Sequence, residues 1–272
     1  MTQIKALANV LSVAGSDPSG GAGVQGDLKT FAALGCYGMA AISALTVQNT
    51  GGVIAVQLVQ PEFLAAQINA VFADIRVDAV KIGMLGAPDN VVAVAAVLKR
   101  WQPRHVVLDP VLAATHGASL GAAGLGAALM THLFPLSTLV TPNLPEARAL
   151  AGFDGSAAQL GPVLRSHGAR AILVKGGHAE AADACDYLVD EAGETSFSLP
   201  RLTTRNSHGT GCTLSSAIAA ALACGFSLRD SVKIGKLQLH HALAAGDELQ
   251  VGSGRGHGPV NHAAMTRLAQ VD

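Results

Sequence analysis

The segment Asn206–Thr213 places a glycine-rich turn directly before a thiol. Gly209 and Gly211 flank Thr210, and Cys212 follows where a stretch of small, helix-forming residues begins. Glycine lets backbone N–H groups approach a ligand, and a helix start adds unpaired donors and a positive dipole end. Such a turn suits an anion, and its field is expected to lower the pKa of the thiol. The segment predicts phosphoryl transfer to a small molecule, with Cys212 as a general base or a nucleophile.

A second glycine-rich segment, Gly15–Gly23, follows the first predicted strand. It lacks the Lys-Ser/Thr ending of a P-loop and the glycine spacing of a Rossmann fingerprint, so alone it indicates a loop more than a nucleotide site. Asp27 follows one turn into the next predicted helix, where a carboxylate is usually a partner of the helix dipole. The same position also allows it to reach a ligand above the loop, and both interpretations stay open.

Four polar residues after later strands are candidates for metal or phosphate binding. Asp109 stands at a strand end before a proline, where a carboxylate is either functional or a loop acceptor. Asn143 and Glu146 are three residues apart at a helix start, which fits a capping box and also a hydrated Mg²⁺ site. Lys175 follows a buried-type strand, where it faces either a transferring phosphate or solvent.

Short β-branched runs alternate with Ala/Leu-rich helical patterns almost throughout the chain, which predicts an α/β fold. Apolar runs such as Val106–Leu108 indicate strands buried on both faces, as in a parallel sheet. Asp183–Leu199 breaks the alternation and predicts a hairpin at the sheet edge. We expect one domain over residues 1–272, with a central, mostly parallel sheet and helices on both faces. The predicted strands are Val10–Ala14, Gly38–Leu45, Val53–Leu58, Ala79–Ile82, His105–Leu108, Thr138–Val140 and Ala171–Val174, and the predicted helices are Val24–Leu34, Glu62–Phe72, Asn90–Arg100, Gly124–Leu133, Pro145–Leu150, Ala157–Ser166, Thr213–Cys224 and Arg229–Ala245.

The candidate residues follow the predicted strands in a regular way. In open parallel sheets ligands bind beyond the carboxyl ends of the strands. Gly15, Gln48 and Met84 follow three early strands, and the polar residues described above follow the later ones. The sequence therefore predicts that all of them converge on one edge of the sheet.

The bulk composition excludes several classes of protein. The 272 residues carry a net charge of -1 and no run of basic residues, so we expect neither nucleic-acid nor membrane binding. No window offers 18 uninterrupted apolar residues, and the first residues do not read as a signal peptide. Four cysteines without a CxxC pair do not form a disulfide scaffold or a metal motif, which favours a reducing cytoplasm. The histidines, His208 among them, are expected to be solvated or to lie at the edge of the core.

Together the motifs resemble the hydroxymethylpyrimidine/phosphomethylpyrimidine kinases of the ribokinase-like superfamily. A cysteine after the Gly-Thr-Gly turn distinguishes this branch from most sugar kinases, which carry an aspartate there. The segment Leu112–Ala118, a predicted lid over the phosphates, departs from the family's pattern. The matching segments are Ala14–Gly23, Asp27–Thr30, Gln48–Thr50, Lys81–Leu85, Val107–Val111, Thr141–Ala147, Lys175–His178, His208–Ser215 and Gly258–Val260.

The resemblance implies ATP- and Mg²⁺-dependent phosphorylation of 4-amino-5-hydroxymethyl-2-methylpyrimidine, and then of its monophosphate to the diphosphate, in thiamine diphosphate biosynthesis. It also implies a homodimer. The implied roles are pyrimidine binding for Gly15, Asp27, Gln48, Met84 and Val111; the anion hole for Gly209, Thr210 and Gly211; proton acceptance for Cys212; Mg²⁺ binding for Asp109, Asn143 and Glu146; and contact with the nucleotide phosphates for Lys175 and Thr210.

Two other functions remain open at the level of sequence. A pyridoxine or pyridoxal kinase shares the fold, the thiol-bearing turn and a hydroxymethyl group on a heteroaromatic substrate. A binding module that has lost catalysis is the second alternative, since a fold does not imply a function. Such a module would be expected to lack the base, the glycines of the turn or the metal-binding residues, and all three are present here.

Overall fold

A nine-stranded sheet forms the centre of the computed structural model, which describes residues 6–112, 122–176, 183–252 and 256–269. The strand order is β3-β2-β1-β4-β5-β6-β7-β8-β9. The strands from β2 to β7 in that order are parallel, and β3, β8 and β9 pair antiparallel at the margins. The strands are β1 (Asn9–Gly15), β2 (Tyr37–Asn49), β3 (Gly52–Leu58), β4 (Ala79–Ile82), β5 (Val106–Leu108), β6 (Leu139–Val140), β7 (Ile172–Val174), β8 (Asp183–Asp190) and β9 (Gly193–Pro200).

Helices cover both faces of the sheet. The first, seventh and eighth helices pack on one face, and the second to sixth pack on the other. The helices are α1 (Gly23–Ala33), α2 (Pro61–Asp74), α3 (Pro88–Trp101), α4 (Leu125–Ala128), α5 (Leu144–Ala151), α6 (Ala157–Arg165), α7 (Thr210–Ala223) and α8 (Leu228–Ala244). No helix within the described ranges is long and apolar enough to span a membrane.

The alternation of side chains along β5 shows why the sheet is covered on both sides. Val106 and Leu108 belong to the core against α2–α6, whereas Val107 belongs to the core against α1, α7 and α8. All three are at most 2% exposed. Successive side chains of a strand point to opposite faces, so an uninterrupted apolar run requires an apolar layer on each side. The predicted mostly parallel sheet is confirmed.

The observed elements follow the predictions closely, with informative differences at the ends. The predicted hairpin over Asp183–Leu199 is β8–β9 at the sheet margin. The helix predicted at Gly124–Leu133 is α4 continued by a π-helical turn, Leu129–Leu133. Helix α7 begins at Thr210, three residues before the predicted start, which places the thiol-bearing residue inside its first turn. Most of the predicted lid, 113–118, and the motif residues 177–178 lie outside the described ranges.

Candidate active site

A cavity of about 750 Å³ opens at the carboxyl ends of the parallel strands. The loops after β1, β4, β5, β6 and β7, the end of β2 and the start of α7 all contribute to its wall. The predicted convergence on one sheet edge is therefore confirmed. All the predicted site residues except Asp27 line the cavity, namely Gly15, Gln48, Met84, Asp109, Val111, Asn143, Glu146, Lys175, Gly209, Thr210, Gly211 and Cys212.

The glycine turn is held tightly against the loop that follows β1. Gly209 is the N-cap of α7 and has a φ of 83°, a conformation that favours glycine. A Cβ there would overlap the carbonyl oxygen of Gly21. A Cβ on Gly211 would lie 3.3 Å from Asp109 Oδ2 and from Lys175 Nζ. The start of α7 therefore lies beside a carboxylate and an ammonium, with the Thr210 N–H donating to the Ser207 carbonyl at 3.4 Å, and a side chain at Gly211 would crowd both charged groups.

Cys212 is partly buried in the first turn of α7. Burial raises the pKa of its thiol, while the charge of Lys81 and the N–H of Gly23 at the start of α1 act in the opposite direction. The negative charges of Asp27 and Asp109 also raise this pKa. The expectation that the helix dipole leaves the thiol with a lowered pKa was wrong, because desolvation of a thiolate outweighs the field.

Asp27 lies beneath the cavity and does not line it. Its carboxylate is fully buried, and Lys81 Nζ donates to Oδ1 at 2.9 Å and to Oδ2 at 2.8 Å. The hydroxyls of Ser12 and Ser216 also donate to it, at 2.6 and 2.7 Å. The structure therefore corrects the prediction that this carboxylate contacts substrate, because both of its oxygens are already satisfied by the protein.

Lys81 carries its charge despite complete burial. Burial lowers the pKa of its ammonium group, but the charge of Asp27 outweighs that effect and the net pKa is raised. Cys212 and Asp109 act on it in the same direction. The charge of this buried ammonium in turn lowers the pKa of Cys212, against the effect of burial.

Asn143 and Glu146 form a capping box at the start of α5. The Glu146 N–H donates to Asn143 Oδ1 at 2.8 Å, and the Asn143 N–H donates to Glu146 Oε2 at 2.8 Å. Burial raises the pKa of Glu146 to about 7, with Lys175 opposing and Asp109 adding to the rise. The capping interpretation is confirmed, and it leaves a carboxylate at the cavity wall whose ionised form a bound cation would favour.

Asp109 and Lys175 form an ion pair next to this turn. Lys175 Nζ lies 2.7 Å from Asp109 Oδ1, which also accepts from the Thr141 hydroxyl at 3.1 Å. Burial lowers the pKa of Lys175, but Asp109 and Glu146 raise it overall, so the ammonium stays charged. This pair, together with the capping box, forms one polar wall of the cavity beside the glycine turn.

This polar wall offers few direct ligands to a metal. No group of three His, Cys, Asp or Glu side chains that could hold a metal is found within the described ranges. Asp109 and Glu146 nevertheless supply two carboxylates on one wall. Mg²⁺ usually takes one or two carboxylates and completes its shell with water and substrate phosphates. The donor set therefore fits a hydrated Mg²⁺ ion.

An apolar recess extends the cavity toward the β8–β9 margin. Its wall includes Leu199 at the end of β9, Leu202 just beyond that strand, and Leu239 and Leu243 of α8. Such a recess can take a flat heteroaromatic ring, because apolar walls bury both faces of the ring. The sequence motifs did not predict this recess, since leucines at helical spacing also indicate a core.

A buried carboxylate–imidazole hydrogen bond and a buried ion pair at the cavity wall also escaped prediction. His208 Nε2 lies 2.7 Å from Asp17 Oδ2, and Lys236 Nζ lies 2.7 Å from Asp186 Oδ2. Asp186 also accepts from the N–H of Gly176. The expectation that His208 is solvated or at a core edge was incomplete, because the residue is 7% exposed and paired. The partners lie 191 and 50 residues apart, and no local pattern signals such pairs.

The fold and the site are those of a small-molecule kinase of the ribokinase-like class: a doubly wound sheet, a glycine turn at a helix start, a thiol in the first turn of that helix and an apolar recess. A model of the phosphomethylpyrimidine kinase family matches residues 17–261. The chain belongs to this family.

Curated relatives agree with this assignment. The hydroxymethylpyrimidine/phosphomethylpyrimidine kinase of Rhizobium meliloti is 50% identical over 259 residues, covering 93% of this chain and 96% of the relative. The protein of the same description from Escherichia coli is 47% identical and covers 93% and 97%.

Solved structures share the fold over most of the chain. The crystal structure of phosphomethylpyrimidine kinase from Clostridium difficile is similar with a TM-score of 0.76 and 38% identity, covering 86% of this chain and 98% of that one. Pyridoxal kinase from Staphylococcus aureus, in complex with AMP-PCP and pyridoxal, is similar with a TM-score of 0.87 and 30% identity, covering 98% of both chains.

Proposed function

We propose that this chain transfers the γ-phosphoryl group of ATP to the hydroxymethyl oxygen of 4-amino-5-hydroxymethyl-2-methylpyrimidine. The same site then phosphorylates the monophosphate to the diphosphate, for thiamine diphosphate biosynthesis. The observation that carries the proposal is the single cavity, which joins the end bearing Gln48 and Met84 to the recess beside α8 through the glycine turn and Cys212. The names of the curated relatives support the same substrates.

The acceptor end of the cavity has the chemistry that a pyrimidine requires. Gln48 at the end of β2 offers an amide, which both donates and accepts hydrogen bonds and so matches ring nitrogens and an amino group. Gly15, Met84 and Val111 provide small and apolar walls for the ring faces. A Cβ at Gly15 would lie 3.3 Å from the Met84 sulfur, so a larger residue there would narrow the pocket.

The glycine turn and Cys212 act on the reacting atoms. The N–H groups at Gly209, Thr210 and Gly211 hold the transferring phosphoryl oxygens, where charge is stabilised as the bond to the leaving phosphate breaks. The sulfur of Cys212 accepts the proton of the attacking hydroxyl, and the charge of Lys81 offsets the cost of the buried thiolate. Lys175 lies against the turn and contacts the nucleotide phosphates.

Asp109, Asn143 and Glu146 are proposed to hold hydrated Mg²⁺. Asp109 and Glu146 supply the carboxylates, and the Asn143 amide keeps the start of α5 in place through the capping box. When bound, the ion would neutralise part of the charge on the nucleotide phosphates. Lys175 balances the two carboxylates before the nucleotide arrives.

A coupled assay of ADP formation tests the proposal. The purified chain is given ATP and Mg²⁺ with the pyrimidine alcohol and with its monophosphate, each in turn. We expect turnover with both acceptors and a background at least about tenfold lower without an acceptor. The proposal is refuted if neither the alcohol nor its monophosphate supports turnover.

Pyridoxal kinase activity is the second candidate. The observation that favours it is the match to the Staphylococcus aureus pyridoxal kinase over 98% of both chains. Comparing kcat/KM for the pyrimidine alcohol and for pyridoxal separates the two functions. A preference of about tenfold or more for pyridoxal would replace the first proposal with the second.

We also propose that the chain is a cytoplasmic, single-domain homodimer. The continuous nine-stranded sheet supports one kinase domain over residues 1–272. Cys36, Cys185 and Cys212 are free thiols, which supports a reducing compartment. The β2–β3 margin exposes Leu45, Val47, Ile54 and Val56 at 40–73%, and an apolar edge of this kind is typically covered by a partner.

A further inference from the structure

Two loops that carry different halves of the proposed reaction meet at a buried hydrogen bond between Asp17 and His208. Asp17 belongs to the loop after β1, which contributes Gly15 to the acceptor end. His208 directly precedes the glycine turn that begins α7. The side chains are 1% and 8% exposed, and 2.7 Å separates Oδ2 from Nε2.

Asp17 organises its own loop through several hydrogen bonds. Its Oδ1 accepts from the N–H and the hydroxyl of Ser19, at 2.9 and 2.6 Å. Its Oδ2 accepts from the N–H of Ala22 at 2.8 Å as well as from His208. Burial alone would raise the pKa of this carboxyl, but the bonds from His208 and Ser19 outweigh it and lower the pKa to about 2. The carboxylate is therefore ionised throughout the working pH range.

His208 is fixed on its other side by the backbone. The main-chain N–H of His208 donates to the Gly258 carbonyl at 3.0 Å, and the residue forms a parallel β-bridge with Pro259. A Cβ on Gly21 would overlap the imidazole ring. The imidazole thus fills the space between the two loops, and its position sets the distance between them.

We propose that Asp17 and His208 are positioning residues that hold the acceptor loop in register with the anion hole. The inference rests on the proposed function, because it assigns the two loops to the acceptor and to the transferring phosphoryl group. Phosphoryl transfer depends mainly on positioning and charge stabilisation. A displacement of about 1 Å between the loops would cost about 100-fold in rate while leaving each half-site able to bind.

The test is a double-mutant cycle on Asp17 and His208, in which kcat and the Kd values for ATP and for the acceptor are measured separately for each variant. Asp17→Asn and His208→Asn are each expected to lower kcat by about 30-fold or more, with calorimetric Kd values for ATP and for the acceptor within about threefold of wild type. The double variant is expected to lose no more than about threefold beyond either single variant, because both remove the same contact.

A conservative variant and a matched control separate positioning from folding. The amide nitrogen of glutamine in His208→Gln reaches the place of Nε2, so kcat should stay within about fivefold of wild type. If Asp17→Asn does not fold, the comparison of His208→Gln with His208→Asn tests the positioning role by itself. Asp190→Asn removes another buried carboxylate, paired with Arg229 at 2.8 Å away from the cavity, and should leave kcat unchanged.

The outcomes distinguish this inference from the proposed function. All variants are assayed with the alcohol that the wild type phosphorylates, whether the pyrimidine or pyridoxal. A wild type inactive with both would refute the proposed function itself. An active wild type with equally active Asp17→Asn and His208→Asn variants, or with losses that multiply in the double variant, would overturn the positioning role.

Discussion

Cys212 experiences burial and positive charge at once, and this balance defines its chemistry. Only the thiolate of this side chain can accept a hydroxyl proton, and accepting that proton converts the thiolate to the neutral thiol. The N–H of Gly23 and the charge of Lys81 favour the thiolate that must be present before the proton is transferred, whereas burial disfavours it. In the proposed reaction this thiolate acts as a general base for the hydroxymethyl group, and no covalent enzyme intermediate is formed.

Replacing the thiol should abolish turnover and spare binding. In Cys212→Ser and Cys212→Ala we expect kcat to fall by about 100-fold or more, since a positioned base contributes roughly 10²–10⁴-fold. The Kd of the acceptor should stay within about threefold of wild type. Coupled kinetics with calorimetry measures both, and the exposed Cys185→Ser is the matched control. Full kcat in Cys212→Ala would remove this residue as the base.

The buried pair below the thiol should be a strong determinant of stability. Lys81→Met leaves the Asp27 carboxylate buried without its cation, and we expect the free energy of unfolding to fall by about 3–5 kcal/mol. Adding Asp27→Asn should recover a large part of the loss, because the unpaired charge is gone. Urea denaturation measures both, and a single-variant loss below about 1 kcal/mol would contradict this account.

For individual residues, sequence reasoning identified types better than partners. Gln48, Lys175 and Cys212 were placed in the cavity by their positions after strands and at a helix start, which are local features. The expected contact of Asp27 with substrate was wrong and the expected solvated or core-edge position of His208 was incomplete, because their partners, Lys81 and Asp17, lie 54 and 191 residues away. Burial and pairing depend on the assembled fold and have no local signature.

Among the helices, the start of α7 depends on one glycine for two separate reasons. Gly209 has a φ of 83°, and a Cβ there would overlap the Gly21 carbonyl. Gly152, the C-cap of α5, has a similar φ of 77°, but a Cβ there would meet no atom within 4 Å. Both positions require a left-handed backbone, but only Gly209 lacks room for a Cβ, so comparing them separates the two effects of a substitution.

Alanine at these two positions should give different results. Gly152→Ala is expected to cost about 1–2 kcal/mol of stability through strain alone and to keep wild-type kcat. Gly209→Ala should cost more and reduce kcat by about 100-fold, because the loop after β1 must move. Thermal unfolding and steady-state kinetics provide the comparison, and equal effects of both substitutions would argue against the close contact.

The C-terminal segment is joined to α7 by a buried histidine. His262 Nε2 lies 3.1 Å from the Thr213 hydroxyl, and burial, with a smaller effect of Lys29, lowers its pKa to about 4. The unfolded chain therefore binds more protons than the folded one between about pH 4 and 6.5, so stability rises with pH in this window. The difference corresponds to about 3 kcal/mol.

Removing this titration should flatten the dependence of stability on pH. His262→Gln is expected to match wild type near pH 7 and to become the more stable protein as the pH falls toward about 4.5. Denaturant unfolding at a series of pH values measures the difference. His167→Gln, at an exposed position, should keep the wild-type slope, and a parallel shift of the His262→Gln curve would contradict the prediction.

Hydrophobic periodicity predicted the elements well because both faces of the sheet are covered. Each apolar run along β1, β4 and β5 had to be a strand once helices flanked it. The ends were less predictable: β2 continues to Asn49 because β3 pairs with it beyond the core. Helix α7 starts early because the glycine turn is itself its first turn.

For the molecule as a whole, the apolar β2–β3 margin predicts self-association. Ile54 is 73% exposed on an edge strand, and a charge there would prevent an apolar partner from covering it. We expect Ile54→Lys to convert the proposed dimer to a monomer in sedimentation velocity. Phe153→Lys, which changes an exposed apolar residue after α5, should leave the dimer intact. A wild-type monomer at micromolar concentration would refute the proposal.

The topology of the whole sheet predicted that the site residues converge on one edge, but it did not predict which of them reach the cavity. Parallel strands place their carboxyl ends on one edge, so residues after each strand had to meet there. Which of them reach the cavity depends on how far the loops fold over the sheet. The β8–β9 recess and the contact between the Gly21 and Gly209 loops arise from that folding.

The two antiparallel margins of the sheet give the two ends of the cavity independent walls. The β2–β3 margin carries Gln48 at one end, and the β8–β9 margin leads to the apolar recess at the other. The parallel strands between them support the turn where bonds are made and broken. If the proposed function holds, substitutions at the β2–β3 margin would change the acceptor without altering the turn between the margins; the relatives of this scaffold are named for different acceptors, a hydroxymethylpyrimidine and pyridoxal.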